Sequence, residues 1–322
     1  MKKIIITSLI ETFAEEYLKE LNALNPTHNL EVFRDNCPNL SSEEKAYINN
    51  ILTNFNKCVL CKPSEFNNMN SSFPLVNVDL KKGIQYDNKT MPLYKHIVTS
   101  MCYDDVQSKI YPKYAKKLGI RACVYCNVQY AVSAKKGLTN KGKEHRTTYT
   151  LDHYMAKSDY PYLSVSFFNL FPCCASCNQT KSTKLQIWCL YGEMPGVIIN
   201  PYKFSLENAS LTAYLLTKDI EAIKIEFNES GLTTPTANEY DEYFHIRKIY
   251  ENFKEEVEEL IWKSQIYNKS WHDAFMASLP YDRLNANDIN RFIIGNYDKE
   301  DDIHRRPLAK LIQEIAKQLH FI

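Results

Sequence analysis

The sequence predicts an α+β protein in which a small, cysteine-framed, β-rich insert sits between mainly α-helical N- and C-terminal lobes. Three observations carry that expectation. Helical periodicity dominates both ends of the 322 residues. Between Leu118 and Leu190 short segments rich in Thr, Val, Tyr and Phe replace it. Two Cys-x-x-Cys pairs, Cys123/Cys126 and Cys174/Cys177, stand near the two ends of that insert. The N-terminal lobe is therefore placed at residues 1–117, the insert at 118–190 and the C-terminal lobe at 191–322.

The chain opens on Met1-Lys2-Lys3-Ile4-Ile5-Ile6, a basic start and a short apolar run. Glu11, Glu15 and Glu16 follow where a secretory signal would continue to a small-residue cleavage site, so the run reads as a buried strand or helix entry. Helical stretches are expected at 11–24, 41–55 and 104–118, joined by polar connections such as 67–77. After Asn200-Pro201-Tyr202 the helical pattern returns. Phe244, Ile249, Phe253, Val257, Leu260 and Ile261 fall on one face of a single helix expected over 242–264. Leu308, Leu311, Ile312, Ile315 and Leu319 do the same for a last helix with Pro307 in its first turn, where proline is tolerated. No apolar run approaches the roughly 20 residues that cross a bilayer, and a cytoplasmic protein without membrane contact is expected.

Composition adds two constraints. Only eight glycines occur and none belongs to a loop running into Gly-Lys-Ser/Thr, so any ATPase step must come from another protein. The net charge of +1 argues against a polyanionic partner until it is divided by segment. Residues 118–190 hold nine basic and three acidic side chains, a balance of +6 that leaves −5 for the remainder. A basic segment between acidic flanks is the footprint of phosphate binding.

Ten cysteines without a signal peptide point to thiolate ligands rather than disulfides. Two residues between paired cysteines allow a tight knuckle in which backbone N–H groups point at sulfur, and two knuckles make a closed tetrahedral zinc site that contributes folding free energy. Cys123, Cys126, Cys174 and Cys177 are the expected structural Zn²⁺ ligands. Cys58 and Cys61 form a third pair without a matched knuckle; Cys37, Cys102, His28 or His96 are the available partners, and buried free thiols are the simpler account. Cys173 and Cys189 read as packing residues.

Between the zinc pairs runs the strand Thr147-Thr148-Tyr149-Thr150-Leu151-Asp152-His153-Tyr154. Neighbouring strand residues face opposite ways, so Asp152 and His153 share a site only where the strand ends and the chain bends. A loop with Asn169 follows, then a helix opening with Asn178 and Lys181.

Cys123-x-x-Cys126, Leu151-Asp152-His153-Tyr154, Lys157-Ser158, Pro161-Tyr162-Leu163, Asn169-Leu170-x-Pro172 and Cys174-x-x-Cys177-Asn178-x-x-Lys181 together resemble the HNH endonucleases of the His-Me finger group over about seventy residues. The resemblance implies a ββα-metal core in which Asp152 and Asn178 bind a catalytic Mg²⁺ or Mn²⁺, His153 is the general base and Asn169 braces the active-site loop. Asn178 replaces the usual histidine, a variant known in the family, and Ala156 stands where proline is frequent. More loosely, residues 112–130, Asn200-Pro201-Tyr202 and the stretch from Gly295 to Leu311 resemble bacterial HNH proteins that accompany an ATPase in antiphage systems of the Septu and retron-associated kind.

The expected chemistry is hydrolysis of DNA phosphodiester bonds, RNA remaining open, and the resemblance implies 5′-phosphate and 3′-hydroxyl ends. Lys181 is expected near the scissile phosphate and Lys157 near its neighbour, with Lys184, Lys135 and Lys136 as further nucleic-acid contacts; a solvated surface is the plain alternative for each. The competing functional readings are a zinc-framed nucleic-acid-binding module without cleavage, and a restriction-type or RNA-directed nuclease.

Overall fold

The computed structural model describes residues 1–135, 145–182, 188–267, 269–278 and 286–320. Helix and strand are mixed, with helix predominating, so the chain is α+β as its sequence predicts. Among the described residues no helix is long and apolar enough to cross a membrane. The chain divides into two compact units, one of Lys3–Leu118 and Val132–Val197, the other of Met1–Lys2, Gly119–Ala131 and Ile198–Ile322.

The first unit runs β1 (Ile4–Ile5), α1 (Ser8–Asn22), α2 (Pro26–Asn36), α3 (Ser42–Leu60), β2 (Gly83–Tyr86), β3 (Lys89–Pro92), α4 (Leu93–Ser100) and α5 (Tyr111–Lys117). It continues through β4 (Ser133–Lys135), β5 (His145–Thr147), β6 (Thr150–His153), β7 (Leu170–Cys173), α6 (Ala175–Lys181) and β8 (Tyr191–Gly192). Ser41 starts α3 with a capping box: its hydroxyl accepts from the Glu44 N–H while the Glu44 carboxylate accepts from the Ser41 N–H. The helix expected over 104–118 is interrupted, because Val106–Ile110 forms a π-helical segment before α5. Pro112 lacks an N–H and its ring crowds the carbonyl four residues earlier, which a wider turn relieves. Tyr17 of α1 anchors the core, packing edge-on against Tyr111, Tyr114 and Phe167. Its hydroxyl donates to the Val165 carbonyl at 2.8 Å, and that of Tyr111 donates to the Leu170 carbonyl at 2.6 Å. The helices thereby fix the chain that links β6 to β7.

The second unit contains β9 (Tyr202–Leu206), α7 (Asn208–Thr217), β10 (Ile225–Glu229), α8 (Ala237–Phe244), α9 (Ile246–Tyr250), α10 (Lys254–Ile266), α11 (Lys269–Ser278), α12 (Ala286–Ile294) and α13 (Ala309–Gln318). β9 and β10 pair antiparallel, with Phe204 opposite Phe227. Side chains of α13 cover the other edge of β9: Glu314 accepts from the Phe204 N–H at 2.7 Å, and the Gln318 amide bonds both backbone groups of Leu206. A covered edge removes a template for unwanted strand pairing. The single helix expected over 242–264 is instead three pieces. His245, at φ +49°, breaks it after α8, and a 3-10 turn at Glu251–Phe253 separates α9 from α10.

Candidate active site

β6 and β7 pair antiparallel with Asp152 opposite Phe171 and His153 opposite Leu170, and α6 packs against β6. The connection from β6 to β7 is held by one side chain. Asn169, fully buried, accepts from the Met155 N–H at 2.7 Å and donates to the carbonyls of Met155 at 3.1 Å and Leu163 at 2.9 Å. Three bonds from one amide tie two points of the loop together.

Asp152 and His153 are both 5% exposed. His153 Nε2 lies 2.9 Å from the Ser164 carbonyl, which only accepts, so Nε2 carries the proton and Nδ1 is the basic nitrogen. Burial first, then the positive charge of Lys157 and, more weakly, of Lys181 drive the imidazole pKa down to about 3, against a raising effect of the Ser164 bond. The ring is neutral at pH 7. Tyr103 was not anticipated from the sequence: its ring lies 5.1 Å from that of His153, its hydroxyl donates to the Leu151 carbonyl, and Lys157 Nζ sits 4.2 Å over its face. Lys157 has no carboxylate partner within ion-pair distance among the described residues, and burial lowers its pKa. Nothing in the motif points to Tyr103, which is fifty residues upstream of the pair it supports.

Lys181 is not the solvated surface lysine that is the alternative to a phosphate contact. It is 2% exposed, and its ammonium lies 2.8 Å from Asp152 Oδ2 and 2.7 Å from the His153 carbonyl oxygen. Asn178, one turn earlier on α6, is half-buried, and its side-chain amide makes no hydrogen bond to the described residues. A carboxylate on β6 and an amide oxygen on the packed helix are hard donors whose chemistry fits Mg²⁺ or Mn²⁺. Of the other basic residues, Lys135 closes β4, its backbone paired with that of His145, while Lys136 and Lys184 lie outside the described residues.

The Sγ atoms of Cys123, Cys126, Cys174 and Cys177 all lie within 4.8 Å of one another, and all four residues are buried. Sulfurs about 2.3 Å from one ion are compatible with such spacing, and the four thiols can hold a metal ion such as zinc. The first knuckle shows how the sequence shapes it. The Asn127 N–H donates to the Cys123 carbonyl at 2.8 Å, the Val128 N–H points at Cys126 Sγ at 3.5 Å, and Asn127 adopts φ +55°, which its short polar side chain tolerates. Asn127 also donates to the Ile303 carbonyl and accepts from the Lys310 N–H. Two tyrosines complete the support: Tyr240 and Tyr250 hydroxyls donate to the adjacent carbonyls of Tyr125 and Cys126 at 2.8 and 2.7 Å. In one straight helix residues ten apart are about 15 Å apart along the axis, so the break at His245 is what lets both reach one knuckle. The second pair is built into α6: Cys174 is its N-cap, Cys177 lies in its first turn, and Asn178 and Lys181 follow on the same helix.

Cys58 and Cys61 are buried, with thiols pushed up to about 12 by burial, the state of packing cysteines. Among the described residues no third metal-ligating side chain joins them. The partners considered for them are engaged otherwise: His96 Nε2 donates to the Ile84 carbonyl, and Cys102 accepts from Asn29. No protein family, curated protein or solved structure matches the chain, so the functional reading stands on these residues and their geometry.

Proposed function

We propose that the chain is a metal-dependent HNH endonuclease that hydrolyses DNA phosphodiester bonds. The observation that carries this reading is the β6–β7–α6 unit, which ends one strand in Asp152-His153, clamps the connecting loop with Asn169 and packs the helix of Asn178 and Lys181 on that strand. His153 is the general base: held neutral, with Nε2 fixed on Ser164, it takes a proton from water through Nδ1. Asp152 and Asn178 would hold a divalent ion, which when bound would supply charge neutralisation for phosphodiester hydrolysis. Lys157, an ammonium without a carboxylate partner among the described residues, binds the adjoining phosphate. The four-cysteine zinc site is structural.

The loose resemblance of the flanks and the lack of a P-loop support a role as nuclease effector of an antiphage system acting with an ATPase partner. A binding module without cleavage is the second reading, favoured by the engagement of Asp152 with Lys181. Incubation with matched single- and double-stranded DNA and RNA in Mg²⁺ or Mn²⁺ separates the two. The nuclease reading expects metal-dependent products with 5′-phosphate ends on DNA; salt-sensitive binding with no product under either metal supports the module.

A further inference from the structure

Lys181 is less exposed than either residue of the Asp152–His153 pair. Its ammonium spans Asp152 Oδ2 and the carbonyl of His153, and the side chains of the ion pair are 3% and 6% exposed. A carboxylate this buried needs a counter-charge. In the protein by itself Lys181 is that charge. The same carboxylate is the anionic member of the proposed Asp152/Asn178 donor set, so a divalent ion and the ammonium compete for one negative charge. Each weakens the hold of the other, because like charges brought together in a poorly solvated site repel.

We infer that Lys181 is an internal counter-cation that keeps Asp152 engaged in the resting protein and makes divalent-metal binding conditional on a nucleic-acid phosphate. The inference rests on the metal-dependent nuclease reading. A phosphodiester supplies the anion that the pair lacks once a second cation arrives, and a lysine, a point charge on a flexible stem, can exchange a carboxylate for a phosphate oxygen where the planar fork of an arginine would be held. Coupling of this kind is reciprocal: whatever factor the nucleic acid adds to metal affinity, the metal adds to nucleic-acid affinity. The resting protein is then a poor metal binder that does not assemble a cutting site without its substrate. A Lys181 that merely staples α6 to β6 predicts something else, a loss of stability on removal with no change in metal affinity.

The test is Mn²⁺ binding followed by electron paramagnetic resonance on the full chain with its zinc, for wild type, Lys181→Gln and Lys181→Met, with and without a phosphorothioate DNA oligonucleotide. Removing the ammonium is expected to tighten Mn²⁺ binding by about tenfold or more, and the oligonucleotide to tighten it about fivefold or more in wild type while leaving the Lys181→Gln protein unchanged. Equal Mn²⁺ affinity in folded wild type and Lys181→Gln overturns the inference, as does equal tightening by the oligonucleotide in both. If neither variant folds, wild type decides. Roughly micromolar Mn²⁺ binding without DNA, lost in Asp152→Asn, overturns it, whereas weak binding that strengthens with DNA supports it. Cleavage is scored separately, so a wild type that cuts without this coupling refutes the counter-cation role alone, and one that never cuts refutes the nuclease reading.

Discussion

Asn169 concentrates most of the local order of the site in one side chain. Its three bonds to Met155 and Leu163 set the path of the loop whose Ser164 carbonyl holds the His153 ring. Asn169→Ala leaves buried backbone groups unpaired, each costing about 1–3 kcal/mol, so a loss of roughly 3 kcal/mol is expected by urea denaturation, together with loss of cleavage at temperatures where the variant is folded. His304, in the other unit, carries a pH-dependent cost. Its Nε2 donates to the Lys2 carbonyl while Nδ1 is buried without a hydrogen-bond partner among the described residues, and burial above all drives its pKa down to about 3. The folded state therefore resists a proton that the unfolded chain accepts near pH 6.5, and stability falls as pH drops through the window from 6.5 toward 3. At pH 5 the contribution reaches about 2 kcal/mol at most. Urea midpoints at pH 7 and pH 5 should differ less for His304→Gln than for wild type. The placement of Asp152 and His153 at a strand end and of Asn169 in the following loop is legible because a strand end, a loop and a helix start follow one another in the sequence. The position of Lys181 was not, since spacing along a helix says which residues share a face but not whether that face looks to solvent or to a buried carboxylate.

At the scale of elements, the knuckle at Cys123–Cys126 owes its shape to parts far away in the chain. Tyr240 and Tyr250 reach its carbonyls only because His245 breaks the helix between them. Tyr250→Phe is expected to cost about 1 kcal/mol and to speed zinc loss to a chelator, followed with a zinc-sensitive dye, while leaving the second knuckle's helix α6 intact by circular dichroism. Unchanged zinc retention would remove the tyrosines from the account. Helix α3 was readable from Ser41 and Glu44, whose capping signal lies within four residues. The break at His245 was not, because the apolar stripe from Phe244 to Ile261 continues through it and histidine is not a breaker by composition. The β2–β3 hairpin was readable but missed: Asp87 and Asn88, both at positive φ, form the two-residue turn favoured between antiparallel strands, and their polar pair is a weaker signal than Asn-Gly. β9 and β10 pair across an intervening helix, which no local pattern encodes.

Over the whole molecule, neutrality conceals a division of charge. Residues 118–190 carry +6 and the rest −5, and both the general base and the counter-cation proposed above lie in the basic part. Nucleic-acid affinity should therefore fall steeply with salt, as bound phosphates regain their counterions, even though the protein as a whole is nearly neutral. A shallow salt dependence, measured by fluorescence anisotropy between about 50 and 200 mM salt, would place binding outside this segment. The four-cysteine cluster can hold a metal ion such as zinc, and with zinc bound there Cys126→Ser should lower the unfolding temperature and the zinc content before it alters the chemistry of folded protein. The α+β class and the four-cysteine cluster followed from periodicity and spacing alone, while the interleaving of chain segments into two units depends on contacts between residues far apart in sequence. DNA cleavage by wild type and His153→Ala, compared at equal zinc content in Mg²⁺ or Mn²⁺, decides whether His153 is the general base of a nuclease. Removing the base is expected to slow cleavage by about 10²-fold or more without loss of zinc or fold; equal rates for the two proteins would rule out that role for His153.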